Sequence, residues 1–277
     1  MMRNHWTLPL LAIFVIAAAG GAAYAMPSLG GPTGIVTVPN ALVAPPGELQ
    51  TALSFQSQQM YGDVDVSTWS LNVLTGVSKG AELWAAYALA DQSTPTASQT
   101  AHMWALGGKY QFTSEPSDQA ALAIGASWEG WTDLATAFSM YTEDVNVLKA
   151  YIVATKDLTP MAGGNSEWNN TSTRILGSLG LMYVHFDADS SDVSDSLTRP
   201  FVGVQFMGTG GTSLGLEYRW QDDDIDAKAV FSAVLSHRFS SKIEAQIGTT
   251  NAGPSGIGLD DQDIFVRVGY TFPMAGL

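Results

Sequence analysis

The chain has 277 residues, of which 46% are hydrophobic and 14% are charged, and its net charge is −14. This acidity argues against nucleic acid as a partner, because binding to phosphates requires a basic surface. The chain has no cysteine, which excludes disulfides, thiolate metal sites and a lipoprotein anchor. No run of about 18 apolar residues follows the N-terminus, which excludes membrane-spanning helices. Abundant glycine and aromatic residues with few charges are typical of a membrane β-barrel.

The N-terminus has the organisation of an export signal. Arg3 gives a weakly basic start, Leu10–Ala19 is an apolar run, and Ala23-Tyr24-Ala25 fits an A-x-A cleavage site. We therefore predict that residues 1–25 are a signal peptide that is cleaved after Ala25.

Residues 26–47 are rich in proline and glycine around one short apolar piece, Ile35–Val38. Proline has no backbone N–H, so this density of prolines excludes a helix or a long central strand. The sequence predicts a segment of turns that precedes the main domain, residues 48–277. The prolines are Pro27, Pro32, Pro39, Pro45 and Pro46.

From Glu48 onward the chain alternates between apolar and small or polar residues, with turns at regular intervals. In Asp263–Phe272, for example, Val266 and Val268 lie on one face and Arg267 on the other. A period of two is typical of a strand with one apolar face. The predicted strands are Glu48–Met60, Val64–Val77, Ala81–Ala90, Ala101–Phe112, Ala120–Trp131, Asp144–Lys156, Arg174–Phe186, Arg199–Met207, Ser213–Gln221, Lys228–Phe239, Lys242–Thr250 and Asp263–Phe272.

These twelve segments predict an all-β fold, a closed antiparallel up-and-down transmembrane barrel. A tilted strand needs about 9–11 residues to cross a bilayer, and an even number brings both termini to one side. Outward Trp and Tyr near both strand ends favour a membrane barrel over a soluble sandwich. Links that should be short are mostly short; the exception, Asp157–Thr173, is long enough to hide a miscounted segment.

The closing strand resembles the last strand of bacterial outer-membrane barrels, which usually end on an aromatic residue such as Phe272. That resemblance implies an outer-membrane location, with lipid and lipopolysaccharide around the barrel. It also implies the barrel assembly machinery as a partner. Residues 273–277 follow the aromatic, which departs from the usual pattern.

One stretch carries a narrower resemblance. Gly30–Ala41 contains Thr33-Gly34-Ile35 and Pro39-Asn40-Ala41, and Pro46-Gly47-Glu48-Leu49 leads into the first strand. Over residues 30–49 the chain resembles the YjbH-like family of outer-membrane proteins, which is linked to exopolysaccharide biosynthesis and export. The resemblance implies an envelope or exopolysaccharide-related role as a passage or scaffold. The large additional region of longer family members is absent from this sequence.

Charged residues on the inward face of the predicted strands are candidates for the lumen lining. Five are acidic and five basic, which favours a network of ion pairs that stiffens or fills the lumen. The alternative is a lining that selects a small polar or sugar-like solute. The candidates are Glu48, Glu82, Lys109, Glu129, Arg174, Glu217, Arg219, Arg238, Glu244 and Arg267.

Most acidic residues fall in or beside the links opposite the termini. They are either solvated loop tips or an acidic mouth that concentrates cations, or they bind divalent ions that bridge lipopolysaccharide phosphates. The candidates for this acidic rim are Asp187, Asp189, Asp192, Asp195, Asp222, Asp223, Asp224, Asp226, Asp260 and Asp261.

No catalytic or cofactor motif is present. The sequence has no G-x-S-x-G, no Walker A and no H-E-x-x-H, and we predict no cofactor, no metal and no enzymatic activity. Two alternatives to the YjbH-like role stay open. One is a small cation-preferring porin, and the other is an outer-membrane hydrolase that pairs His185 with a serine or aspartate at the rim.

Overall fold

A computed structural model describes residues 27–29, 31–60, 64–93, 98–113, 120–135, 142–162, 173–188, 193–221, 228–253 and 258–274. The predicted signal peptide lies outside these residues. The strands are β1 Glu48–Met60, β2 Val64–Ser78, β3 Ala81–Ser93, β4 Ser98–Thr113, β5 Ala121–Ala135, β6 Thr142–Asp157, β7 Arg174–Ala188, β8 Val193–Met207, β9 Thr212–Arg219, β10 Val230–Arg238, β11 Ile243–Ala252 and β12 Gly258–Pro273. Single 3₁₀ turns lie at Pro160–Ala162 and Thr209–Gly211.

The twelve strands form one closed barrel in which each strand pairs antiparallel with its neighbours in the sequence. The barrel closes where β1 pairs with β12, from Glu48 opposite Pro273 to Ser57 opposite Ile264. Closure leaves no edge strand with unpaired backbone groups. The predicted fold class is therefore confirmed. Among the described residues, no helix is both long and apolar enough to cross a bilayer.

Four links on the side opposite the termini are shorter than the sequence predicts, and the links after β7 and after β11 shorten most. β7 continues to Ala188 and β8 begins at Val193, six residues before the predicted start at Arg199. β12 begins at Gly258, so Asp260 and Asp261 lie in a strand rather than in a link. β6 and β7 pair directly, so no other strand separates them in the barrel.

The outer wall is apolar. Leu53, Leu106 and Leu179 are 51%, 57% and 59% exposed, and they lie at outward positions near the middle of their strands. A wall of this kind is stable only where apolar material covers it. Aromatic pairs lie toward both ends of the barrel: Tyr270 and Phe272 at the end that holds both termini, and Tyr218 and Trp220 at the opposite end. We call these the terminal end and the loop end.

The proline-rich segment lies inside the barrel. Residues 27–47, which we call the plug segment, bury Val36 and Val38 completely within the lumen. The plug segment folds back on itself, since Leu29 N donates to Val36 O and Asn40 N donates to Thr33 O. It leaves the lumen at the terminal end, where Pro46 forms a parallel bridge with Gly76 of β2. The barrel and the plug segment therefore share one core.

Candidate functional site in the barrel lumen

Glu217 on β9 binds the middle of the plug segment. The backbone N–H groups of Val36, Thr37 and Val38 donate to its carboxylate at 2.9–3.1 Å, and Thr37 Oγ1 donates to it at 2.6 Å. Successive backbone N–H groups of this kind form an anion-binding concavity. Arg219 Nη2 donates to Thr37 Oγ1 at 2.9 Å. The carboxylate of Glu217 on the barrel wall thus accepts hydrogen bonds from three backbone N–H groups of the plug segment.

Glu82 on β3 and Lys109 on β4 hold a second part of the plug segment. Their side chains are fully buried and 3.0 Å apart. Glu82 also accepts hydrogen bonds from Thr33 N and Ala44 N, both at 2.9 Å. Lys109 Nζ donates to Thr33 O and Asn40 O. A buried ion pair is retained at low cost only when its remaining bonds are made, and here the plug segment makes them.

Two further contacts complete the ring around the plug segment. Arg267 on β12 donates to Pro27 O at 2.5 Å and to Gln246 Oε1 at 3.1 Å. Thr155 Oγ1 on β6 accepts a hydrogen bond from Ala41 N at 2.8 Å. Strands β3, β4, β6, β9 and β12 therefore all bind the segment, which is anchored on every side of the lumen.

Glycines allow the plug segment to approach the wall closely. Gly31 has φ +106°, and a Cβ there would lie 2.1 Å from Cε3 of Trp84. On the other side of Trp84, a Cβ at Gly107 would lie 2.4 Å from its Cε2. The indole is therefore packed between one glycine of the plug segment and one of the wall, where no larger residue fits.

Further luminal charges form ion pairs along the wall. Arg174 contacts Asp157 at 2.6 Å and Arg238 contacts Glu244 at 3.1 Å. Lys149 pairs with Glu129. The structure places all ten predicted lining residues on the inward face of their strands: Glu48 is half-buried, and the other nine are buried or belong to an ion pair.

Luminal charges that the predicted lining omits include Lys149, Asp157 and Arg199. Alternation alone does not assign Lys149 to a face, because both faces of β6 are apolar; in the structure it shares the inward face with Tyr151. The pattern predicts that Asp157 begins a link, but in the structure it is the last residue of β6. Arg199 is the first residue of the predicted strand beside an outer link, but in the structure it lies within β8, is 1% exposed and donates through Nη1 to Lys228 O.

A cavity of about 120 Å³ lies between the plug segment and the loop end. Leu29, Pro32, Thr37 and Pro39 of the plug segment form its floor. The cavity is several times larger than the minimum of about 10–15 Å³ that holds one water molecule. We call it the luminal cavity.

The walls of the luminal cavity differ in chemistry. Strands β1 and β2 contribute neutral hydroxyl and amide groups, β3 and β4 contribute small apolar residues and Met103, and β5, β6 and β9 contribute charges and aromatic rings. The charged and aromatic residues are Glu129, Trp131, Lys149, Tyr151 and Arg219.

No protein-family model and no curated protein matches the chain. Among solved structures, it is similar to the COG4313 outer membrane channel from Pseudomonas putida F1, with a TM-score of 0.56 and 12% identity over 84% of this chain and 98% of that chain. It is also similar to a KdgM porin in complex with disordered oligogalacturonate, with a TM-score of 0.52 and 11% identity over 81% of this chain and 99% of that chain.

The chain has the fold of an outer-membrane barrel. Within that fold, the described part of the predicted acidic rim lies at the loop end: Asp187 and Asp195 are exposed near the ends of β7 and β8. The side chains of Asp260 and Asp261, and the residues Asp189, Asp192, Asp222, Asp223, Asp224 and Asp226, lie outside the described part of the structure.

Three histidines lie on the outer wall of the barrel, each bonded through Nδ1 to a hydroxyl group of the adjacent strand. The distances are 2.9 Å from His102 to Tyr87, 2.8 Å from His185 to Ser196 and 2.9 Å from His237 to Thr212. A hydrogen bond to a hydroxyl group gives the polar Nδ1 atom of an imidazole a partner where the ring faces an apolar medium. In the described ranges, no group of three His, Asp or Glu residues could hold a metal ion.

Proposed function

We propose that this protein is a non-enzymatic barrel of the bacterial outer membrane, and that its own plug segment controls passage through the lumen. The observation that carries the proposal is the set of buried contacts from Glu82, Lys109, Glu217 and Arg267 to the plug segment. A lumen filled at the terminal end blocks free diffusion in this state. The barrel therefore acts either as a passage that opens when the segment moves or as a rigid scaffold.

The exopolysaccharide-related role of the YjbH-like family is part of the proposal. Residues 30–49, which carry that resemblance, coincide with most of the plug segment and the start of β1. The shared stretch is therefore the part that fills the lumen, rather than the outer wall that any membrane barrel needs. Cleavage after Ala25 would place the mature N-terminus directly before Pro27, which is buried in the lumen.

Conductance in planar bilayers tests the proposal. We expect the intact protein to conduct little, and Glu217→Ala to open the lumen because three backbone N–H groups and Thr37 lose their acceptor. Glu244→Ala is the matched control, since Glu244 is a luminal glutamate that pairs with Arg238 on the wall. Equal conductance in the two variants would contradict control by the plug segment.

The same experiment separates the proposal from a cation-preferring porin. A porin predicts large currents from the intact protein with selectivity for cations, because the exposed Asp187 and Asp195 would concentrate them at the loop end. Our proposal predicts small currents until the plug segment is released.

A hydrolase is a second candidate, favoured by the 2.8 Å contact between His185 Nδ1 and Ser196 Oγ. A base within hydrogen-bond reach of a hydroxyl is the minimal nucleophilic arrangement. Hydrolysis of phospholipid esters by the purified barrel should then be lost in Ser196→Ala. It should be retained in Thr212→Ala, which removes a similar contact to His237 elsewhere on the wall. The non-enzymatic proposal predicts no hydrolysis by any of these proteins.

A further inference from the structure

We propose that the luminal cavity is a binding site for a neutral, hydroxyl-rich solute about the size of one pyranose ring. The inference rests on the proposed function, because such a site is useful only in a barrel that handles solutes. It adds a position in the lumen and a chemical class of ligand.

The side of the cavity formed by β1 and β2 offers neutral hydrogen-bonding groups in register. Ser54 lies opposite Ser70, and Gln56 lies opposite Thr68. Gln56 and Gln58 each donate through Nε2 to the carbonyl of Ala252, at 3.1 and 2.6 Å. Neither amide oxygen has a hydrogen-bond partner among the described residues, so both remain available as acceptors. Hydroxyl groups are the ligand groups that both accept from and donate to such a surface.

The opposite side offers an aromatic surface and charges that are already paired. Trp131 lines the cavity and is 5% exposed. Lys149 is bonded to Glu129, and Arg219 is bonded to Thr37 of the floor. A charged solute would therefore meet countercharges that are already engaged, and burying an unpaired charge is costly. An anion would also have to pass the exposed Asp187 and Asp195 at the loop end.

Size and shape lead to the same class of ligand. The volume of about 120 Å³ exceeds the room that one or two waters need. Small side chains, Ala86, Ala88 and Ala105, keep the β3–β4 side open. A purely apolar solute would leave the amides and hydroxyls of β1 and β2 unsatisfied. A sugar ring presents hydroxyl groups around its edge and apolar C–H groups on its faces, and so it matches both sides.

Titrations with three probes of one ring shape test the inference. Glucose, glucuronate and glucosamine differ in charge, and their binding to the folded full-length protein in detergent can be measured by calorimetry. We expect glucose to bind, and the two charged sugars to bind at least about tenfold more weakly. Absence of glucose binding, or equal or tighter binding of either charged sugar, would overturn the inference.

Variants locate the site. Trp131→Phe and Gln56→Leu should each weaken glucose binding by about tenfold or more. Trp128→Phe is the matched control, because Trp128 lies on the same strand but is 49% exposed on the outer wall. Heat-modifiable migration on a gel verifies that each variant is folded. Unchanged binding in both cavity variants would place the sugar elsewhere and refute the site.

Binding does not require conduction. If the inference fails while Glu217→Ala still opens the lumen, only the ligand class is wrong. If glucose binds but Glu217→Ala conducts no more than Glu244→Ala, the control of passage is wrong.

Discussion

At the scale of single residues, the lumen shows how buried charges are made stable by a segment without regular structure. Turns and prolines leave the plug segment with backbone N–H and C=O groups that no strand can pair. Glu82, Glu217 and Arg267 supply acceptors and donors for them. Charge-assisted hydrogen bonds are stronger than neutral ones, so a few wall residues suffice to hold the segment.

The ion pair between Glu82 and Lys109 gives a prediction at this scale. Glu82→Gln leaves Lys109 buried without its countercharge and should destabilise the folded barrel by about 3–5 kcal/mol. The double variant Glu82→Gln with Lys109→Met removes both charges and should recover part of that loss. Denaturant unfolding in detergent, followed by heat-modifiable migration, measures both. A double variant no more stable than the single one would show that the hydrogen bonds to the plug segment, rather than charge balance, dominate.

At the scale of elements, the barrel wall and the plug segment are held together by different interactions. The wall is a continuous ladder of backbone hydrogen bonds, closed by the pairing of β1 with β12. The plug segment has isolated bridges and side-chain contacts instead. Elements with fewer cooperative contacts open at lower free energy, so the segment is the part of the core that can move while the wall stays intact.

Seating of the plug segment depends on its close approach to the wall at Gly31. Gly31→Ala introduces a Cβ 2.1 Å from Trp84 at a φ of +106°, and should weaken the seating by about 1–3 kcal/mol. We expect faster proteolysis within residues 27–47 of the folded barrel. Gly210→Ala is the control, because Gly210 also has a positive φ, +81°, but a Cβ there meets no atom within 4 Å. Equal proteolysis of the two variants would show that the contact with Trp84 does not hold the segment.

At the scale of the whole molecule, the apolar band on the outside and the charged network on the inside reverse the arrangement of a soluble protein. Arg199, Arg267 and Glu82 are among the largest fully buried side chains, whereas many Leu and Trp residues are exposed. This arrangement is stable only if the surroundings of the barrel are apolar across the middle of the wall.

Depth in the bilayer should decide the cost of a charge on the outer wall. Val266 and Ile243 are both 41% exposed, but Val266 lies in the middle of β12 and Ile243 is the first residue of β11. In lipid vesicles Val266→Lys should cost about 2–4 kcal/mol, and Ile243→Lys about 0–1 kcal/mol. Denaturant unfolding in vesicles measures both. Equal effects would argue against a membrane around this band.

The sequence by itself determined the strands and their faces, because a period of two is a local property that one face in lipid imposes on each strand. The alternation of apolar and polar residues weakens at strand ends that extend beyond the lipid. Near the start of β8, Asp195 and Ser196 lie on opposite faces and are both exposed at the loop end, so polar residues on both faces hide the strand from a period-two pattern. The side of Lys149 was likewise settled only by its partner Glu129 on the neighbouring strand.

Only the tertiary structure decided where residues 27–47 lie. The segment has no periodicity, and its partners are distant in the chain: Val36 and Glu217 are 181 residues apart, and Thr33 and Glu82 are 49 apart. These contacts exist only after the barrel has closed and brought β3, β9 and β12 around a single lumen. Alternation showed that Glu82, Glu217 and Arg267 face inward, but their partners depend on closure of the whole barrel.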